Sequence, residues 1–268
     1  MSASLKIATW NVNSVRSRIG NITKWLASAK PDVVCLQEIK CQTEQFPYLE
    51  FEDMGYNCAV LGQKSYNGVA ILSKFAIEET LPGLPPGLPN DESDEQARYL
   101  ECVISANNGP VRVASIYLPN GNPKTTEKFD YKLRWMRRLR EHAKSLLQFE
   151  EPLILAGDYN VIAKDGHCWD PAVWVDDALM ADETRAEFTA LHWLGLSNAW
   201  QIKDGRDHQY TFWDYQRGAW NKDHGIHIDH ILMSAQASDR LVDVEIARKT
   251  RAEEKPSDHV PVIASFDL

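Results

Sequence analysis

The sequence predicts an α/β fold in which strands dominate the interior and helices cover the outside. Three observations carry this. Strand, helix and strand follow one another within residues 5–36; a hairpin pattern occupies 99–118; and further apolar strands recur at 153–156 and 260–266 with helical periodicity between. No repeat or low-complexity tract interrupts the pattern, so one domain spanning 1–268 is expected, within the size at which large layered folds stay single.

The elements follow in order. Residues 5–9 alternate apolar and polar positions and run into Trp10, Asn11, Val12 and Asn13, a strand with a polar tip. Ile19, Ile22, Leu26 and Ala29 recur at helical spacing until Pro31 stops the helix. Residues 32–36 form a second strand, ending at Gln37 and Glu38. A βαβ unit makes these strands parallel neighbours, which places Asn11 and Glu38 together at the carboxyl edge where open α/β sheets bind ligands. The pattern is irregular over 46–68, and 69–73 is again a strand. Pro82, Pro85, Pro86 and Pro89 mark a surface loop. Two strands, 99–105 and 111–118, join through Ala106, Asn107, Asn108 and Gly109, and the second delivers Tyr117, Pro119, Asn120 and Gly121. Leu133, Met136, Leu139, Ala143 and Leu146 form the core stripe of a helix whose arginines lie largely outside it. The run 153–156 reads as a strand buried on both faces that emerges at Gly157; in an extended chain Asp158 and Asn160 then point the same way. The tryptophan-rich and acidic stretch 162–181 yields no assignment. A helix begins near Thr184 with Glu187 completing a capping box, and Gly195 stops it.

Composition narrows the function. No apolar run approaches the ~18 residues of a membrane span, and residues 1–6 lack a signal-peptide pattern, so a soluble, cytoplasmic protein is expected. Five cysteines without a C-x-x-C pair argue against a disulfide framework or a thiolate zinc site. The net charge of −9 opposes non-specific adhesion to nucleic acid. Residues 124–144 nevertheless hold eight basic against three acidic side chains, which fits either a polyanion dock or a solvated helix face.

The chemistry lies at the strand ends. Gly-Asp-Tyr-Asn alone reads as an ordinary turn, yet Asn11, Glu38, Tyr117, Asp158, Asn160, Asp229, Asp258 and His259 all follow apolar runs or sit at their edges. Hard oxygen ligands without a cysteine or histidine cage suit magnesium or manganese. His224, His227 and His230 imitate a zinc spacing, but strand alternation would turn His230 away from His227. His259 is the better chemical candidate, with Asp229 on another strand to fix its tautomer and favour its cation.

At these residues the chain resembles the exonuclease III family of apurinic/apyrimidinic endonucleases, within the endonuclease, exonuclease and phosphatase superfamily. The motifs are W-N-V-N at 10–13, L-Q-E-I-K at 36–40, G-V-A-I-L-S-K at 68–74, Y-L-P-N-G at 117–121, G-D-Y-N at 157–160, T-F-W-D-Y at 211–215, I-D-H-I-L at 228–232 and P-S-D-H-V-P-V at 256–262. They occur in the family's order along nearly the whole chain. The resemblance implies a four-layer αββα sandwich of two mixed sheets packed face to face. It implies a metal, magnesium or manganese, at Glu38 with Asn11 and Asp258 near it, and a second position at Asp158 and Asn160. Asp158 would orient or deprotonate the attacking water, Asn160 would hold it or the phosphate, Tyr117 and His259 would contact the phosphate, and Asp229 would orient His259. Asn120, Lys124, Phe212 and Ile226 would meet DNA, the last two as walls of a pocket for a base-less sugar. The implied activity is hydrolysis of double-stranded DNA 5′ to abasic sites, with 3′-to-5′ exonuclease and 3′-phosphatase action on blocked 3′ ends, by a monomer. A superfamily phosphatase acting on inositol phosphates or phospholipids, or a DNA-binding module without catalysis, are the alternatives. His227 departs from the family by standing where arginine is frequent.

Overall fold

Most central strands carry apolar side chains on both faces, so each sheet must be covered on both sides. The computed structural model describes residues 4–87 and 93–268; Pro89 of the proline loop and the first three residues of the N-terminal segment lie outside them. The strands are β1 (Leu5–Asn11), β2 (Val33–Gln37), β3 (Asn57–Leu61), β4 (Val69–Ser73), β5 (Ile77–Pro82), β6 (Tyr99–Ala106), β7 (Gly109–Tyr117), β8 (Leu153–Asp158), β9 (Ser197–Asn198), β10 (Asp229–Met233), β11 (Leu241–Ile246) and β12 (Val262–Phe266). They form two six-stranded sheets, β11-β12-β1-β2-β4-β3 and β5-β6-β7-β8-β10-β9. Both are mixed: β1 runs parallel to β2 and β7 parallel to β8, and the other pairs are antiparallel.

Alternation along the strands sorts the core into layers. Leu5, Ile7, Val33, Cys35, Val69 and Ile71 of the first sheet meet Leu100, Cys102, Val111, Val113, Ile154 and Ile231 of the second. Ala8, Trp10, Val34 and Leu36 turn the other way, onto Ile22, Trp25 and Leu26 of helix α1 (Ile19–Ala29), with Phe51 of α2 (Tyr48–Glu52) in the same cluster. Ala114, Ile116, Leu153 and Leu155 meet Trp135, Met136 and Leu139 of α3 (Glu127–Leu146), together with Phe188 and Leu191 of α4 (Asp182–Trp193). The result is the αββα sandwich. The βαβ unit, the hairpin and the two-face burial of 153–156 hold as expected. All five cysteines are free thiols, four of them buried.

Two helix readings change. Thr184 does not cap α4: its hydroxyl donates to Ala178 O at 2.7 Å from inside the first turn, and Ala181 is the N-cap residue. Glu187 instead reaches α3, accepting from Arg137 at 3.0 Å and Arg140 at 2.7 Å. The basic segment is thereby dispersed. Lys132 is fully buried, and Arg138 is buried with Nη2 donating to Leu84 O at 2.9 Å; Lys128, Arg134 and Lys144 remain exposed.

Gly157 on β8 pairs with Ile116 of β7, and an added Cβ would sit 2.0 Å from Ile116 O. Because that obstacle is backbone, Gly157→Ala is expected to lower unfolding stability by about 1–3 kcal/mol, measured by urea denaturation; an unchanged midpoint would contradict the packing described.

Candidate active site

The same alternation that builds the inter-sheet core builds the site at its end. On β1, Leu5 and Ile7 are followed on the same face by Thr9 and Asn11; on β7, Val111 and Val113 by Ser115 and Tyr117; on β8, Ile154 and Ala156 by Asp158. On β10, which runs the opposite way, Met233 and Ile231 lead back to Asp229. Thr9, Gln37 and Ser115 form a buried polar layer between core and site. Thr9 Oγ1 donates to Gln37 Oε1 at 3.2 Å, Gln37 Nε2 to Ser115 Oγ at 3.0 Å, and Ser115 Oγ to Leu36 O at 3.0 Å. Sequence reasoning passed over these three; their signal is a polar side chain in phase with the core positions of its strand.

Register places Tyr117 and Asp229 on either side of Asp158. Asn11 reaches across from the other sheet, its Nδ2 donating to Glu38 Oε1 at 2.8 Å and to Asp158 Oδ2 at 3.0 Å. Tyr117 Oη donates to the same Glu38 oxygen at 2.9 Å, and Lys40 Nζ lies 2.7 Å from the other. Burial works against the Glu38 carboxylate, but Lys40 and Asn11 outweigh it and hold its pKa below the ordinary value.

His259 is fixed from several directions. Its N–H donates to Ser257 Oγ at 3.2 Å, whose own hydroxyl donates to Asn11 O at 2.7 Å; Trp10 Nε1 donates to His259 O at 3.0 Å. Phe212 meets its ring edge to face at 4.9 Å. His259 Nδ1 stands 2.9 and 3.1 Å from the Asp229 oxygens, and Nε2 stands 3.7 Å from Asp158 Oδ2. All three side chains are buried, and they are the one group of potential metal-binding acids and histidines that converges among the described residues. Burial disfavours the imidazolium, yet Asp229 and Asp158 prevail and raise His259 to about 10. Burial, partly countered by His259 and reinforced by Asp229, pushes Asp158 up to about 7.

Asp158 and Asn160 converge by a different route from the extended chain expected. Asn160 has left-handed backbone geometry at φ 49°, and its N–H donates to Asp158 Oδ1 at 2.9 Å, so a turn and not strand alternation brings them together. The carboxamide is held at both ends: Nδ2 donates to Leu118 O at 2.9 Å, and Oδ1 accepts from Asn120 Nδ2 at 3.1 Å. Beneath it Lys132 Nζ donates to Asn160 O at 2.7 Å, and burial pulls this ammonium down to about 7. Asp258 sits at the rim, half-buried, accepting from Asn13 Nδ2 at 3.1 Å.

The outer residues are less concentrated. Lys124 lies in the turn before α3. Phe212 borders His259, but Ile226 is only 1% exposed and pairs through its backbone with Phe212 and Cys168. The expectation that Ile226 meets DNA directly is corrected accordingly: it packs with Ile162, Cys168, Leu179 and Ile228 and supports Phe212 from beneath. The histidine reading also changes in its geometry. His227 precedes β10, so strand alternation does not govern it, and its ring stacks on His167 at 4.7 Å and lies 5.0 Å from His230, all three buried. A stack presents ring faces to one another, and His224 lies apart, stacked on Trp169 at 3.7 Å.

The donors linked through Asn11 fit a hard divalent cation: Glu38 and Asp158 offer carboxylates and Asn160 beside Asp158 an amide oxygen, with no thiolate among them, while Asp258 stands at the rim bonded to Asn13. Paired carboxylates, a cationic imidazole and amide groups at the open end of an αββα sandwich define a phosphate-ester hydrolase. Comparison with known proteins agrees. Residues 8–259 match the endonuclease/exonuclease/phosphatase family model. Exodeoxyribonuclease III of Haemophilus influenzae is 30% identical over 273 residues, covering 98% of this chain and 100% of that protein. A 3′ phosphatase from Neisseria, solved with a product DNA hairpin, superposes with a TM-score of 0.92 at 36% identity, and an AP endonuclease from Archaeoglobus fulgidus with 0.91 at 33%; each comparison covers 98% of this chain and 100% of the other. The chain belongs to the exonuclease III branch of the endonuclease/exonuclease/phosphatase family. It is a hydrolytic nuclease of DNA repair that binds DNA.

The His259 pairing has a pH signature. A pKa raised from 6.5 to about 10 means that the pair's contribution to stability is complete below the ordinary histidine value and is lost as pH rises through about 10. In Asp229→Asn the principal counter-charge is gone and burial favours the neutral ring. The cleavage rate at pH 8 is expected to fall by roughly 10²-fold, with the alkaline limb of the pH–rate profile displaced to lower pH; an alkaline limb that stays in place would show that Asp229 does not sustain the charge.

Proposed function

We propose that the chain is a magnesium-dependent enzyme that hydrolyses double-stranded DNA 5′ to abasic sites, leaving a 3′-hydroxyl, and that the same site removes 3′ phosphates and 3′-terminal nucleotides. The observation that carries this reading is the Asp229–His259–Asp158 cluster, with Tyr117 beside Asp158 on the same sheet and Asn11 and Glu38 facing it from the other. The work falls to one monomeric domain over 1–268. Five free thiols suit a reducing compartment, and no helix among the described residues is long and apolar enough to cross a membrane; both support a cytoplasmic location.

In this reading Asp158 and Asn160 hold the attacking water. Burial raises Asp158 to about 7 and makes it a stronger base than an ordinary aspartate. Bulk water at about 15.7 remains some 9 units away, so Asp158 orients the water first and receives its proton late, as the oxygen bonds to phosphorus. Charge then grows on the non-bridging phosphate oxygens. His259 Nε2, kept cationic by Asp229, is the donor that neutralises it, and the Tyr117 hydroxyl, which donates to Glu38 here, would join it on turning to the phosphate. Magnesium, or manganese in its place, held by Glu38 with Asn11 and Asp258 or by Asp158 with Asn160, would supply further stabilisation of that charge when bound. A base-less sugar suits extrusion because no base pair is lost, and Phe212 beside His259 is the surface it would meet, with Asn120 and Lys124 along the backbone. A superfamily phosphatase acting on inositol phosphates or phospholipids is disfavoured by relatives named for nuclease and DNA-repair activities.

The test compares abasic, 3′-phosphate and undamaged blunt duplexes with magnesium or chelator. The wild-type chain is expected to incise the first and dephosphorylate the second only with the metal, and Asp158→Asn to lose about 10³-fold on both. Full cleavage by Asp158→Asn, or undiminished cleavage in chelator, would overturn the reading.

A further inference from the structure

Lys132 is a fully buried cation that this mechanism leaves unused. It lies on α3 with no exposed surface, and its ammonium donates to three carbonyls: Pro119 O and Asn120 O at 3.2 Å each, and Asn160 O at 2.7 Å. An ammonium carries three donors, so its capacity is filled without a carboxylate. The carbonyls belong to two separate loops, one following β7 and one following β8. Those loops meet on their other side through Asn120 Nδ2 and Asn160 Oδ1 at 3.1 Å, while Asn160 Nδ2 donates to Leu118 O.

The fit is close enough to shape the motif above it. Gly121 has φ 87°, and a Cβ there would lie 2.6 Å from Lys132 Cδ, so the Asn120-Gly121 backbone runs directly over the lysine stem. Burying an ammonium is costly, and a methionine of similar length would fill the same volume without desolvating a charge. What methionine lacks is a set of donors for three carbonyls on two loops.

We propose that Lys132 is a positioning residue for phosphate-ester cleavage: by clamping the Pro119–Asn120 loop to the Asn160 turn from below, it sets the carboxamides of Asn120 and Asn160 relative to Asp158. The proposal rests on the reading above, in which Asn160 holds the water or the phosphate. It separates Lys132, whose three donors are all taken inside the fold, from the exposed lysines and arginines of α3.

The experiment is a double-mutant cycle on the full chain, cleaving a 3′-phosphate duplex with magnesium, with folding followed by circular dichroism and DNA affinity by fluorescence anisotropy in chelator. Lys132→Met is expected to lower kcat by roughly tenfold to a hundredfold, while KM and DNA affinity stay within about threefold. In an Asn160→Ala background the same substitution should cost markedly less than it does alone, because the Asn160 carboxamide it sets is already gone and only the Asn120 part remains. Wild-type kcat per folded molecule, or the full loss repeated on top of Asn160→Ala, would overturn the proposal. If Lys132→Met does not fold, Lys132→Arg keeps charge and donors but aims them differently; it should show the same kcat-selective loss, and wild-type kcat there would overturn the proposal equally. Failure of the underlying reading looks different: Asn160→Ala would then cleave normally, whereas an impaired Asn160→Ala beside an unimpaired Lys132→Met removes the role of Lys132 alone.

Discussion

The site depends on one imidazolium shared by two buried carboxylates. Asp158 and Asp229 are direct partners on neighbouring strands, both on the inter-sheet face. Two such carboxylates alone would drive one of them to protonate. His259 changes that balance, with one nitrogen 2.9 Å from Asp229 and the other 3.7 Å from Asp158. An attraction between unit charges at about 4 Å is of order 4 kcal/mol at an effective dielectric near 20, enough to keep the ring charged against its burial. The backbone contacts from Trp10 and Ser257 matter for the same reason: they hold the cation where both acids can use it.

The fold makes this arrangement by continuing a core pattern past the point where the core ends. Residues on the inter-sheet face are apolar at the strand centres, then Thr9, Gln37 and Ser115, then Asn11, Tyr117, Asp158 and Asp229. No special backbone is needed to aim the four outermost side chains, since alternation does it. Special backbone appears one step further out, where Glu38 and Asn160 take left-handed geometry just beyond β2 and β8. Asparagine tolerates that conformation well and glutamate less so, which puts the strain at a residue expected to carry function.

What could be read from the sequence follows the same physics. Central strands were legible because burial leaves a pattern: an apolar run in β2, β4 and β8, alternation in β1 and a hairpin signal ahead of β7, all lying where expected. The strands without an assignment, β3, β5, β9 and β11, are the four sheet edges, and β5 is exposed along most of its length. With one side open to solvent, an edge strand needs little apolar periodicity to be stable. The convergence of polar strand ends was legible for a related reason, because a carboxylate in phase with a buried face has no place in the apolar core. The geometry of Asn160 and of the stacked histidines was not legible, since both hang on turns whose backbone angles a periodic pattern does not encode. Lys132 was hidden by company: among seven other basic residues on 124–144 nothing marks the one that points inward, except that it falls one position before Leu133 in the core stripe.

Whether one imidazolium bridges the two acids is read from nitrogen-15 NMR of the His259 ring in the metal-free chain, which reports the protonation of each nitrogen. Both are expected to carry hydrogen at pH 8, with the ring cationic between Asp229 and Asp158. A neutral ring at pH 7, with one nitrogen bare, would contradict it.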